Sequence, residues 1–186
     1  AKDNHCASVC INPCNLDIAR EVLEGSDVKI GTVIGFPSGA HTTFSKVAEA
    51  IDAYARGAVE LDMVIDIGAL RNGEYDDVYN DIKAVVDATP AVVKVILENC
   101  YLTKEQIVKG CQLCEKAGAD FVKTSTGFAE GGATVEDIKL MRESVSEKVH
   151  VKAAGGIHSK EDVEALVAAG ADRVGVSRTQ AIAAEF

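Results

Sequence analysis

Apolar residues fall into seven short, nearly continuous runs along the chain, and amphipathic segments separate these runs. The runs cover residues 7–11, 29–35, 58–65, 91–98, 121–126, 149–154 and 173–177. Runs that are apolar throughout, rather than alternating with polar positions, are typical of parallel strands that are covered on both faces. The pattern therefore predicts repeated βα units.

The amphipathic segments carry the signals of helix ends. Thr103 is followed three residues later by Gln106, which is the pattern of a capping box, and Thr134 and Ser159 are each followed by an aspartate at the same spacing. The tetrapeptide Ala-Gly-Ala-Asp occurs twice where such a segment gives way to an apolar run. These signals indicate that one supersecondary unit is used repeatedly.

Seven consecutive units predict an α/β fold of the TIM (β/α)8 type, in which only seven βα units are visible and the first strand is missing. We expect residues 1–186 to form a single, N-terminally shortened barrel domain, since no linker or low-complexity stretch divides the chain. An open barrel leaves the strands at residues 7–11 and 173–177 with unpaired edges. Unpaired edges favour pairing with another chain, so we expect a homo-oligomer.

The composition of the chain limits the kinds of partner and the cellular location that we expect for it. The formal net charge is −10, which argues against a nucleic-acid or anionic-membrane partner and favours a small molecule. No apolar stretch approaches the length of a membrane span, and no secretory signal is evident, so we expect a cytoplasmic protein. The four histidines lack metal-ligand spacing, and the six cysteines are expected to be reduced thiols, with Cys111 and Cys114 packing inside a helix.

Charged residues inside the apolar runs are the candidates for chemistry. Lys123 and Lys152 each lie in a run that otherwise indicates a buried strand, and Asp62 lies in a third. Burial and a neighbouring like charge both disfavour an ammonium ion, as a lysine that attacks a carbonyl requires. We interpret Glu60 and Lys94 as a structural buried pair.

Glycines form a second candidate group. Gly127 follows the fifth run, Gly155 and Gly156 follow the sixth, and Gly175 and Ser177 end the seventh. Barrels often bind phosphate on the loops of their last units, where backbone amides act as donors. This order around the barrel predicts a phosphate site on an acidic protein.

At these residues the chain resembles the deoxyribose-phosphate aldolase family, which comprises class I, Schiff-base aldolases. The resemblance covers nearly the whole chain and is carried, in order, by residues 8–13, 35–37, 60–64, 94–98, 121–127 and 152–156. It implies reversible cleavage of 2-deoxy-D-ribose 5-phosphate to acetaldehyde and D-glyceraldehyde 3-phosphate. No metal and no organic cofactor are implied.

The resemblance also implies residue roles. Lys123 matches the lysine that forms the Schiff base, and Lys152 matches the second lysine, which lowers the pKa of the first by like-charge proximity. Asp62 matches the acid that shuttles protons. The four glycines and Ser177 named above match positions around the substrate phosphate.

Two other functions stay open at this point. A barrel without its first unit could be a catalytically impaired fragment that acts as an assembly or binding module. The chain could also be another phosphate-binding barrel enzyme, such as an isomerase, whose activity would survive the loss of Lys123.

Overall fold

Seven parallel strands form the centre of the molecule in the computed structural model, which describes residues 1–186. The strands are β1 (Ser8–Ile11), β2 (Lys29–Ile34), β3 (Glu60–Val64), β4 (Val92–Ile96), β5 (Phe121–Lys123), β6 (His150–Ala154) and β7 (Arg173–Gly175). Each strand pairs with the next one along the chain, from β1 to β7. Strands β1 and β7 do not pair with each other, so the barrel is open between them.

Helices connect the strands and cover the outside of the sheet. They are α1 (Leu16–Val22), α2 (Thr43–Ala55), α3 (Ile67–Asn72), α4 (Tyr75–Ala88), α5 (Lys104–Ala117), α6 (Val135–Glu143), α7 (Lys160–Ala168) and α8 (Thr179–Ala183). Short 3-10 turns lie at Lys2–Asn4, Pro13–Asn15 and Asn99–Tyr101. No helix combines the length and the apolar composition that crossing a membrane requires.

The helix starts follow the capping signals in the sequence. The Thr103 side chain accepts from the amide of Gln106 and the Gln106 side chain accepts in return, so the capping box is complete. Ser159 forms a second capping box at the start of α7, and Thr134 caps α6 through its side chain. Side-chain capping satisfies amide groups that have no partner within the helix.

The main apolar core lies between the strands and the helices, as the continuous runs predict. Leu61, Met63, Val93 and Val95, for example, are almost fully buried and belong to one cluster of 35 residues. Cys111 and Cys114 also belong to this cluster, and all six cysteines are free thiols. Alternate residues of the same strands point the other way, into the barrel, where the chemistry lies.

The predicted runs locate all seven strands, but several observed strands end earlier. The fifth apolar run predicts a strand that extends to residue 126, whereas β5 ends at Lys123. Thr124 continues the backbone pairing through its amide, which donates to the Lys152 carbonyl at 3.1 Å, and the chain then turns away. The apolar pattern does not mark this point because Thr124 and Ser125 remain buried beyond the strand.

Candidate active site

Two lysines and one aspartate meet inside the barrel. The Nζ atoms of Lys123 and Lys152 each lie 2.7 Å from the same oxygen, Oδ2 of Asp62. All three residues are buried, with Asp62 fully inaccessible to solvent. The structure thus brings together the three residues that the sequence identified as catalytic candidates.

The register and order of the strands explain why these three side chains come together. Lys123 of β5 and Lys152 of β6 are direct partners in the parallel ladder, so their side chains project to the same side at the same level. Asp62 lies on β3, two strands from β5 and three from β6, and the curvature of the barrel brings its carboxylate across to the two lysine Nζ atoms. Closure of a sheet is what converts distant strands into neighbours across the interior.

A third lysine completes the environment of Asp62. The Nζ of Lys94 donates to Oδ1 of Asp62 at 2.9 Å and to Oε2 of Glu60 at 2.7 Å. Arg173 then binds Glu60 from β7, with Nη1 at 2.7 Å from Oε1 and 2.9 Å from Oε2. The interpretation of Glu60 and Lys94 as a buried pair is confirmed, but it is incomplete because Lys94 also holds Asp62.

Six of these residues form one charged cluster. The charged cluster consists of Glu60, Asp62, Lys94, Lys123, Lys152 and Arg173. Such a network inside a barrel is costly to desolvate and is stable only when each charge has a partner. Every member here has at least one.

The electrostatics of the lysine pair are asymmetric. Burial alone would raise the pKa of Asp62, but Lys123, Lys152 and Lys94 outweigh burial and hold this pKa below its ordinary value. Burial lowers the pKa of Lys152, and the charges of Lys123 and Lys94 add to the lowering against the opposing pull of Asp62. Burial also acts to lower the pKa of Lys123, but Asp62 outweighs it, so the net pKa is raised.

This asymmetry corrects one expectation. The pKa of Lys123 was expected to be lowered by Lys152, whereas in the free site the Asp62 carboxylate favours the Lys123 ammonium. Lys152 is the amine that gives up its proton more readily. Because both Nζ atoms contact the same Oδ2, a proton has a short path between them through the carboxylate.

The phosphate candidates lie on loops that leave the carboxyl ends of β5, β6 and β7. Gly127, Gly156 and Ser177 are exposed there, and Gly155 and Gly175 are partly exposed. Gly175 lies beside the catalytic candidates, since a Cβ at this position would stand 3.3 Å from Cε of Lys152. A Cβ built on Gly127 would meet no atom within 4 Å. The common role of these five residues stays a prediction.

Sequence reasoning missed a fifth glycine of this region. Gly132, in the loop between β5 and α6, packs so closely on the β6 loop that a Cβ would lie 2.5 Å from the carbonyl oxygen of Gly155. The next residue, Ala133, donates its amide to that same oxygen at 3.0 Å. The Gly131-Gly132 pair in the sequence was the available signal, because such close backbone approach excludes any side chain.

Glu98 was also missed as a structural anchor of the site. Its backbone adopts the left-handed conformation with φ 56°, which is uncommon for a residue with a side chain. Its buried carboxylate accepts from the amide of Thr126 at 3.1 Å and pairs with the Thr126 hydroxyl. Glu98 thereby ties the end of β4 to the loop that carries Gly127.

Comparison with known proteins agrees with this geometry. The model of the DeoC/LacD family aldolases matches residues 1–179. Deoxyribose-phosphate aldolase of Thermoanaerobacter pseudethanolicus is 56% identical over 190 residues, covering 100% of this chain and 85% of that protein. The enzyme of the same name from Clostridium perfringens strain SM101 is 59% identical over 178 residues, covering 95% of this chain and 80% of that protein.

Solved structures show the same likeness in three dimensions. The tetrameric deoxyribose phosphate aldolase of Aeropyrum pernix superimposes with a TM-score of 0.87 at 32% identity, covering 95% of this chain and 76% of that one. Because its sequence and its fold match these proteins over nearly the whole of this chain, the chain belongs to the DeoC/LacD family of aldolases.

Proposed function

We propose that this aldolase reversibly cleaves 2-deoxy-D-ribose 5-phosphate to acetaldehyde and D-glyceraldehyde 3-phosphate through a Schiff base on Lys123. The observation that carries the proposal is the sharing of Asp62 Oδ2 by two buried lysines, each at 2.7 Å. Relatives that are 56% and 59% identical bear the name of this activity. The proposal requires neither a metal nor an organic cofactor.

The reaction begins with a proton transfer within the site. Lys123 passes its proton by way of Asp62 Oδ2 to the amine of Lys152, which leaves Lys123 uncharged beside an ammonium ion. The free amine then adds to the aldehyde carbon of the substrate, and loss of water from the carbinolamine gives an iminium ion. Burial of the site supports this step because water would otherwise compete for the amine.

The iminium ion makes the carbon–carbon cleavage accessible. Loss of the proton from the 3-hydroxyl group breaks the bond between C2 and C3, releases D-glyceraldehyde 3-phosphate and leaves the electron pair in an enamine on Lys123. Protonation of the enamine and addition of water then release acetaldehyde and restore the amine. Asp62 and Lys152 are the groups that can deliver and remove these protons. Asp62 contacts Nζ of Lys123 directly, and Lys152 contacts the same carboxylate oxygen of Asp62.

The phosphate end of the substrate is assigned to Gly127, Gly155, Gly156, Gly175 and Ser177. Their loops leave the same end of the barrel as the lysines, and exposed amides can bind an anion without a cationic side chain. Binding at this remote end would hold the reacting carbon at Lys123. We expect a much higher kcat/KM for 2-deoxy-D-ribose 5-phosphate than for 2-deoxy-D-ribose, and equal values would contradict the assignment.

The proposed cleavage is tested by the retro-aldol rate of wild type and Lys123→Met. Loss of the nucleophile should lower kcat by at least about 1,000-fold, while the far-ultraviolet circular dichroism stays that of a folded chain. Lys139→Met, which removes an exposed lysine from α6, is the matched control and should keep the wild-type rate.

Two outcomes would favour the other functions. A folded wild type without turnover would support the impaired binding or assembly module. Turnover that survives Lys123→Met would support a different barrel enzyme, such as an isomerase.

We further propose that the protein works in the cytoplasm as a homo-oligomer. A phosphorylated sugar is charged and does not cross an apolar bilayer unaided, so its enzyme is expected on the same side of the membrane as its source. The relative from Aeropyrum pernix is tetrameric. The open edges of β1 and β7 offer this chain a surface for pairing.

A further inference from the structure

Lys94 lies behind the proposed catalytic residues, on the far side of Asp62. Its side chain is 1% exposed, and its Nζ spans the two carboxylates of β3, at 2.7 Å from Glu60 and 2.9 Å from Asp62. It contacts Oδ1 of Asp62, whereas Lys123 and Lys152 contact Oδ2. Each oxygen of the aspartate therefore has its own partners.

We propose that Lys94 is a positioning residue for the aldolase reaction: it holds Oδ1 of Asp62 so that Oδ2 faces both Lys123 and Lys152, and its charge favours a free amine in that lysine pair. The inference rests on the proposed function. It assigns Lys94 a part in the reaction, beyond a structural pair with Glu60.

Geometry supports the positioning part. A carboxylate on two rotatable bonds can turn its oxygens away from a given neighbour, but a donor on Oδ1 removes that freedom. Lys94 is itself held by Glu60, and Glu60 is held in turn by Arg173. The chain of contacts runs across the barrel from β7 to β3 to β4 and returns to Asp62.

The charges around the site support the second part of the proposal, that Lys94 favours a free amine in the lysine pair. The ionisable groups facing the site are Cys10 of β1, Glu60 and Asp62 of β3, Lys94 of β4, Glu98 just beyond β4, Lys123 of β5, Lys152 of β6 and Arg173 of β7. Although the Cys10 residue is exposed at the edge strand, desolvation of its thiol and the Asp62 carboxylate raise the pKa of that thiol, so it adds no negative charge at neutral pH.

The charges of the remaining groups do not cancel. Three carboxylates, those of Glu60, Asp62 and Glu98, face four basic groups, so positive charge is in excess when every base is protonated. The cluster relieves this excess when one lysine loses its proton. Lys94 contributes one of the four positive charges, and its ammonium lowers the pKa of Lys152.

The test is the pH profile of kcat/KM for Lys94→Met in the retro-aldol direction. Removing one positive charge should make Lys123 and Lys152 hold their protons more tightly. The acidic limb of the profile, where kcat/KM rises with pH, should therefore move to higher pH by about 1 unit. Activity below the limb should fall by about tenfold relative to wild type and recover as the pH is raised. A purely structural role would lower kcat/KM by one factor at every pH.

Glu60→Gln is the matched variant of opposite sign. It removes a negative charge from the same contact, so the acidic limb should move to lower pH. Lys94→Arg keeps the charge and should keep the limb near its wild-type position. An unshifted limb in Lys94→Met, or a Glu60→Gln shift in the same direction as that of Lys94→Met, would overturn the inference.

The two proposals can fail separately. A wild type without retro-aldol turnover overturns the proposed function and, with it, the role of Lys94. An active wild type whose limb does not respond to either substitution overturns the role of Lys94 alone. If Lys94→Met does not fold, the Glu60→Gln shift decides, because a limb that stays in place contradicts the charge argument.

Discussion

Asp62 shows how one residue organises the site. The Nζ atoms of three lysines share its two oxygens, and it has no exposed surface. An aspartate in this position is the counter-ion that allows three lysines to be buried and, in the proposed reaction, the group through which a proton passes between two of them. Structure and chemistry therefore depend on the same carboxylate.

Replacing this carboxylate by an amide should affect stability and rate together. Asp62→Asn leaves buried ammonium groups without a counter-ion, so we expect a loss of about 3 kcal/mol in the free energy of unfolding at pH 7. Turnover should fall by at least about 100-fold. Thermal or urea unfolding of the variant measures the first effect. Asp87→Asn, which breaks an exposed pair with Lys83, is the control and should change stability by less than about 1 kcal/mol.

The same variant has a pH signature. The folded-state pKa of Asp62 is lowered, so its stabilisation is fully present above the unfolded value, near 4 for an aspartate, and is lost as the pH falls through the folded value. The stability difference between wild type and Asp62→Asn should therefore be constant near neutral pH and should shrink below about pH 4. A difference that grows on acidification would contradict this account.

At the residue scale, sequence reasoning located the main candidates but not all of their contacts. Parity along the strands was enough to place Asp62, Lys123 and Lys152 in one interior. It could not decide whether Lys94 contacts Glu60 or Asp62, because the two acids lie on the same face of one strand; the structure shows both contacts. The partner of Glu60, Arg173, lies 113 residues away, beyond any local pattern.

At the scale of elements, a second buried ion pair joins two helices to the strand of Asp62. Lys46 of α2 is fully buried, and its Nζ lies 2.6 Å from Oδ2 of Asp81 in α4 and 3.1 Å from the carbonyl oxygen of Val64 at the end of β3. Thr43 adds a hydroxyl donor to Asp81 at 2.8 Å. These contacts tie the outer layer to the barrel close to the site.

Removing the buried contacts of Lys46 should destabilise the fold. Lys46→Met leaves Asp81 buried with only the Thr43 hydroxyl, so we expect a loss of about 3 kcal/mol in the free energy of unfolding, measured with urea. Lys83→Met removes the exposed partner of Asp87 in the same helix α4 and should cost less than about 1 kcal/mol. Equal effects of the two substitutions would show that the buried contacts add nothing.

The elements also show where the sequence is informative. Continuous apolar runs and capping residues predict the strands and helix starts because both reflect local chemistry. Lys46 lies in an amphipathic helix where a lysine normally reaches solvent, and only the packing of α2 on α4 buries it. The link from Glu98 to Thr126 joins two loops, so neither residue reveals it alone.

At the scale of the whole molecule, the open barrel shapes the expected assembly. Strands β1 and β7 each have one neighbour, so each presents a row of unpaired backbone groups. The 3-10 turn at Lys2–Asn4, which precedes β1, contacts α8, which follows β7. The order of the seven strands could be predicted from the chain, but the width of the opening could not, because it depends on the curvature of the assembled sheet.

We therefore expect self-association that depends on concentration. Sedimentation velocity over a hundredfold range of protein concentration should show species larger than the monomer that gain weight as the concentration rises. A folded chain that stays monomeric throughout this range would count against pairing at the strand edges.

The most direct test of the central claim is to trap the covalent intermediate. The protein is incubated with acetaldehyde, reduced with borohydride, digested and analysed by mass spectrometry. A reduced two-carbon adduct should be found on Lys123, with Lys123→Met unmodified at every buried lysine. An adduct on Lys152 or Lys94 instead, or an unmodified Lys123 in a sample that cleaves 2-deoxy-D-ribose 5-phosphate, would contradict the account.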